Sequence, residues 1–144
     1  NGDDEKQLLA EFSNICELFT QKKGQKAILG GHNITVFDIP FICKRTIINN
    51  LKLPTLFDIS GKKPWEINII DTLNYWKFNS LDMISLDLLC YVLGVDSPKD
   101  GDVSGYNLSD MYYSDDKEKE SKIKNYCKAD TEAVGKILLK LSEI

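Results

Sequence analysis

Lys26-Ala27-Ile28-Leu29-Gly30-Gly31-His32-Asn33-Ile34-Thr35-Val36-Phe37-Asp38-Ile39-Pro40-Phe41 is the stretch whose reading decides the fold. Its first six residues, KAILGG, read as a short buried strand that two glycines stop abruptly. A tight turn follows. Asp38 stands where a helix begins, with Pro40 in its first turn, a place proline tolerates because first-turn N–H groups have no helical partner. Helical spacing then continues from Phe37 to Asn50, with Phe41, Ile42, Ile47 and Ile48 available for burial. On local pattern alone Asp38 is a helix N-cap and Asn33 a turn former.

Upstream, Asp3 to Phe19 reads as an amphipathic helix. Leu8, Leu9, Phe12, Ile15, Cys16 and Phe19 recur at helical spacing, and acidic residues crowd the first turn, where the helix dipole favours them. Gln21 to Gln25 is a polar break. Downstream, a loop rich in Pro, Gly and Lys runs from Leu53 to Pro64, and Glu66 to Asp71 (EINIID) is β-branched and strand-like. Ser80 to Leu93 predicts a strong helix with Leu81, Ile84, Leu88, Cys90 and Tyr91 on its apolar side and Gly94 as its stop. Ser97 to Gly105 is turn material. Further helices are expected over Ser104 to Tyr113 and Ser114 to Ser142. The last carries Ile123, Tyr126, Cys127, Val134, Ile137, Leu138 and Leu141 as its apolar positions.

Strands alternating with helices imply an α/β fold in a single domain over residues 1–144. Two strands alone make a poor sheet, so the expectation is a sheet that lacks its N-terminal strands.

The bulk numbers exclude several classes. Hydrophobic content of 42% with 28% charged residues is that of a globular protein, too apolar for disorder. No apolar run approaches the ~20 residues that span a bilayer, and the first residues, NGDDEKQ, are no signal peptide; no membrane partner and a cytoplasmic location are expected. A net charge of −4 argues against coating duplex DNA by bulk electrostatics. It is compatible with a carboxylate cleft in which divalent metals reverse the sign locally. The four cysteines form no C-x-x-C pair and are expected to be buried free thiols in a reducing compartment. A single histidine argues against a zinc site.

Chemistry points to two segments. One is the turn through Asn33, Phe37 and Asp38. The other is Tyr126-Cys127-Lys128-Ala129-Asp130, where Tyr126 and Asp130, four apart, project from one helix face. The bland alternative is a core tyrosine beside a solvated aspartate.

Taken together, these segments resemble a known family. GHNITVFDIPF is similar to the second exonuclease motif of B-family DNA polymerases, and YCKAD to the third motif, Tyr-x-x-x-Asp, of its tyrosine (DEDDy) subclass. Between them, IIDTLNYWKF and SLDLLCYVLGVDSPKDGDVSG resemble the middle of the predicted 3′–5′ exonuclease family related to the proofreading exonuclease domain of those polymerases. The histidine subclass carries its catalytic histidine five residues before the aspartate, where this sequence has Asn125. His32 is expected to support the turn.

The resemblance implies a ribonuclease H-like exonuclease fold and hydrolysis of nucleic acid from the 3′ end by two divalent metal ions, Mg²⁺ or Mn²⁺. Asp38 and Asp130 would be metal ligands, Tyr126 would orient the attacking water, and Asn33 and Phe37 would shape the pocket for terminal nucleotides. Hard oxygen ligands suit these metals. The implied partners are single-stranded DNA or 3′ ends.

The family's first motif, an Asp-x-Glu on an apolar strand, is not found. Asp3-Asp4-Glu5 has the spacing but runs straight into a helix. The chain as given is therefore expected to be inactive, and its exposed strand edge to be covered by self-association. The alternative function is a catalytically silent nucleic-acid-binding or assembly module of the same fold. A generic small-ligand α/β domain rests only on the Gly30-Gly31 turn.

Overall fold

The computed structural model describes residues 4–23, 27–97, 111–114 and 117–143. The chain divides into two compact units, Asn1–Asp71 and Thr72–Ile144.

In the first unit, helix α1 (Glu5–Lys23) is started by Asp4, whose Oδ1 accepts the Gln7 N–H at 3.0 Å. That satisfies one of the orphan donors of the first turn. Glu5 reaches across to helix α2 (Asp38–Ile48): its carboxylate accepts Arg45 Nε at 2.6 Å and Asn49 Nδ2 at 3.0 Å, and Arg45 Nη2 completes a bidentate pair. Further along α1, Glu17 accepts the Thr55 N–H at 2.6 Å, and the Phe12 ring meets Phe57 edge-on at 5.6 Å. Leu9, Ala27, Ile39, Thr46 and Phe57 are buried here. Helix α2 ends where Asn50 takes a left-handed φ of 55° and the Leu51 N–H returns to the Thr46 carbonyl at 3.0 Å.

Strands β1 (Leu29–Gly31) and β2 (Ile69–Asp71) pair in parallel, with Leu29 opposite Ile69 and Gly31 opposite Asp71. Parallel pairing requires a crossover, and the segment containing α2 supplies it. No third strand joins them among the described residues.

The second unit is helical: α3 (Thr72–Lys77), α4 (Leu86–Leu93) and α5 (Lys117–Ser142). Ser85 caps α4 by accepting the Leu88 N–H at 3.2 Å. Gly94, at φ 63°, closes it, with the Val95 N–H on the Cys90 carbonyl at 2.9 Å. The Lys140 ammonium donates to the Leu93 carbonyl, satisfying a C-terminal acceptor of α4 from α5. Leu89, Cys90, Ala133 and Ile137 form the core, flanked by Trp76, Leu86 and Leu93. Each fully buried Leu or Ile here contributes about 1.5–3 kcal/mol.

Several expectations are corrected. The architecture is mixed α/β but mostly helical, with strands of three residues each rather than the six-residue runs KAILGG and EINIID; Glu66 belongs to a 3-10 turn, Pro64–Glu66. Helix α1 continues through the expected break at Gln21, because Gln and Lys are good helix formers. The helix expected from Ser80 begins at Leu86, where Ser85 provides a cap; of the expected apolar side Cys90 is buried, joined by Leu89, while Leu81 is left 96% exposed and Leu88 and Tyr91 are exposed too.

Helix α3 was not anticipated, since IIDTLNYWKF lacks a long enough apolar period. The apolar sets of α1 and α2 are only partly used: Leu8, Ile15, Phe19, Phe41, Ile47 and Ile48 are exposed, while Ile39 and Thr46 are buried. All four cysteines are free and helical, but only Cys90 is buried; Cys127 lies on an exposed side of α5. Asp3, Lys26 and most of the helix expected over Ser104 to Tyr113 lie outside the described residues. No described helix is long and apolar enough to cross a membrane.

Arg45 and Asn49 hold the Glu5 carboxyl down at about 2, against 4.5 in the free side chain. Folded Glu5 thus keeps its charge to lower pH than the unfolded chain does. Its contribution is complete above pH 4.5 and is lost as pH falls toward 2. Urea unfolding followed across that window should show Glu5→Gln less stable than the parent at neutral pH, and the difference closing toward pH 2.

Candidate functional site

The turn between β1 and α2 is built on Asp71. This residue, 5% exposed at the end of β2, accepts the Asn33 N–H on Oδ1 at 2.8 Å. Its Oδ2 accepts the Thr35 N–H at 3.0 Å and the Thr35 hydroxyl at 2.7 Å. A carboxylate receiving several such bonds makes them stronger than neutral ones.

Asn33 adopts a left-handed φ of 60°, which Asn tolerates better than most residues. Its side-chain Oδ1 is buried without a hydrogen-bond partner. The Ile34 side chain packs over Gly31 so closely that a Cβ there would stand 2.2 Å from Ile34 Cγ2. That contact explains the glycine that ends β1.

Two backbone bonds lead from the turn into α2: Phe37 N–H to the Asn33 carbonyl at 3.2 Å and Ile39 N–H to the Ile34 carbonyl at 2.9 Å. Phe37, not Asp38, occupies the N-cap position, with no side-chain capping bond. This corrects the capping role expected of Asp38, which is the first helical residue and exposed. With the turn's donors satisfied by Asp71, the Asp38 carboxylate is not spent as a cap. Its carboxyl is pushed above the ordinary value, first by partial burial and further by the charge of Asp71, while its own backbone N–H works against the rise. Val36, Phe37 and Phe41 are exposed around it, at 68%, 67% and 60%.

On α5, Tyr126 and Asp130 are half-buried, one helical turn apart. Burial raises the Tyr126 phenol first, and the Asp130 carboxylate raises it further. The phenol therefore stays protonated well past neutral pH. The structure thus brings Asn33, Phe37 and Asp38 together around Asp71 in the first unit, and Tyr126 together with Asp130 in the second. Among the described residues no three His, Cys, Asp or Glu side chains gather as a metal-binding group.

Sequence reasoning gave Asp71 no role at this turn. The signal was present in its position: a lone acid closing a β-branched strand has to find donors where the strand ends. Asp4 and Glu5, the segment with first-motif spacing, are taken up by the α1 cap and the Arg45–Asn49 contact.

The chain belongs to the family described as a predicted 3′–5′ exonuclease related to the exonuclease domain of PolB, whose model matches residues 1–135. No curated protein and no solved structure matches it.

Asp71→Ala would leave the Asn33 and Thr35 donors without their acceptor and should cost about 3 kcal/mol or more in urea unfolding. Gly31→Ala, which must displace the stiff Ile34 side chain, should cost about 1–3 kcal/mol by the same measurement.

Proposed function

We propose that this domain is the 3′–5′ exonuclease of its family, on a ribonuclease H-like scaffold, with Asp38, Tyr126 and Asp130 at the reacting end of a nucleic-acid strand. The observation that carries the reading is the half-buried Tyr126–Asp130 pair, one turn apart on α5, in a chain whose family match spans both residues and Asp38. Single-stranded DNA or a frayed 3′ end is the proposed substrate.

The donor chemistry fits divalent Mg²⁺ or Mn²⁺, because carboxylate oxygens are hard ligands. Asp38, raised by burial and by a neighbouring carboxylate, is a place where a cation is favoured. Asp38 and Asp130 would hold the metals, which when bound stabilise charge on the scissile phosphate and lower the pKa of water. Tyr126, kept protonated, orients water beside Asp130. Phe37 offers its exposed ring to the terminal nucleotides, and Asn33, left-handed at φ 60°, shapes the turn that presents it. An Asp-x-Glu pair completes the four-carboxylate set in this proposal. The described strands, Leu29–Gly31 and Ile69–Asp71, carry none, so turnover depends on its being joined to this chain.

A second reading, a silent nucleic-acid-binding or assembly module, is favoured by the commitment of Asp4 and Glu5 to helix capping and the Arg45 contact. Self-association along the β1 edge belongs with that reading.

With Mn²⁺ and a 3′-labelled oligonucleotide, a protein carrying this domain joined to an Asp-x-Glu strand should release nucleoside monophosphates. Asp38→Ala and Asp130→Ala should each lower the rate by ~10²-fold or more, and Tyr126→Phe by about tenfold or more. Near-parent turnover in either aspartate variant would exclude the site. The 144-residue chain alone should bind without turnover.

A further inference from the structure

At the other end of the short strands, the loop before β2 makes a basic and aromatic surface. Gly61, at φ 73°, allows the tight turn that places Lys62 and Lys63 immediately before the 3-10 turn Pro64–Glu66. The Lys63 ammonium lies over the Trp65 ring, 5.2 Å from its centroid. Trp65 is nonetheless 77% exposed, so most of the indole faces solvent. Burying a large aromatic side chain is favourable, a gain this one forgoes.

The nearby acid forms no ion pair with either lysine. Glu66 turns its Oε2 back to accept the Lys63 backbone N–H at 2.8 Å. Among the described residues neither Lys62 nor Lys63 forms an ion pair.

Beside this turn lies a cavity of about 340 Å³, with Lys62 on its wall. Ala27, Leu56, Ile59 and Ile67 make it largely apolar, Thr20 and Gln21 add polar groups, and Glu66 shares the wall with Lys62. That volume and lining suit a small planar heterocycle held by a few hydrogen bonds. Ala27 and Asn68 precede β1 and β2, whereas Gly31 and Asp71 end them, so the cavity sits roughly 10 Å or more along the strands from the Asp38 turn.

We propose that the Lys62–Lys63–Trp65 surface and its cavity hold single-stranded nucleic acid away from the reacting end, one base stacking on Trp65 and a neighbouring base entering the cavity. The lysines neutralise the phosphates between them. This deepens the exonuclease reading and rests on it for the ligand class. An aromatic face beside cations is the combination that binds single strands without regard to sequence. It also resolves how a chain of net charge −4 meets a polyanion: through a small local patch of cations.

The test uses a fluorescein-labelled oligothymidylate and the full 144-residue chain in EDTA, with anisotropy as the readout. Trp65→Ala should weaken binding by about tenfold, the effect of losing one stacked base. Lys62→Gln and Lys63→Gln should each reduce the slope of log affinity against log salt by about 0.7. In a Trp76→Phe background the oligonucleotide should quench the fluorescence of Trp65. Parent-like affinity and salt slope in all three variants would overturn the proposal, and so would a failure of the parent chain to bind. If binding is unaffected by these substitutions while Asp38→Ala and Asp130→Ala still abolish hydrolysis, the exonuclease reading stands and this surface alone is rejected.

Discussion

Between the end of β2 and the turn that follows β1, three donors converge on one buried carboxylate. The Asn33 and Thr35 amides and the Thr35 hydroxyl all point at Asp71. Burying that charge would be costly without such partners, and the turn could not hold Asn33 left-handed without such an acceptor. Each therefore requires the other. The parallel register makes the meeting possible by setting Asp71 opposite Gly31, the residue from which the turn departs. The start of α2, and with it the position of Asp38, follows from this one contact.

The acidic residues divide by what surrounds them. Asp4, Glu5, Glu17 and Asp71 all receive donors from helix starts, loops or side chains, and where the shift is resolved, at Glu5 and Glu17, their carboxyls are lowered. Asp38 is raised, by burial and by a neighbour of its own sign. Asp130 lies beside a phenol that burial and the carboxylate's own charge keep protonated.

Much of the local structure was legible in the sequence because it is written in short-range chemistry. Gly94 had to close a helix, the glycines at Gly30-Gly31 had to stop a strand, and Tyr126 and Asp130 had to share a helical face. Failures came where a distant partner decides. The role of Asp71 depends on donors 36 and 38 residues away. The true start of α4 was set by the Ser85 cap rather than by apolar period, which Leu81 and Leu88 satisfied without being buried. Thr46, a polar residue buried by bonding its hydroxyl to the Ile42 carbonyl, gave no hydropathy signal. The Lys63–Trp65 pair read only as loop composition, since period-based reasoning is silent on loops.

The span between Asn33 and Asp71 also orders events in time. As the chain is synthesised, the turn and α2 emerge before their anchor exists, and the 38 residues that follow Asn33, up to Asp71 itself, must be laid down first. Until then Val36, Phe37 and Phe41 belong to a segment with no fixed conformation and with apolar side chains available to wrong neighbours. Loop closure over such a distance adds little to the equilibrium cost, because that cost grows only logarithmically with length. Its effect falls on the rate: the turn carrying Asp38 closes only once Asp71, the last residue of the first unit, is in place.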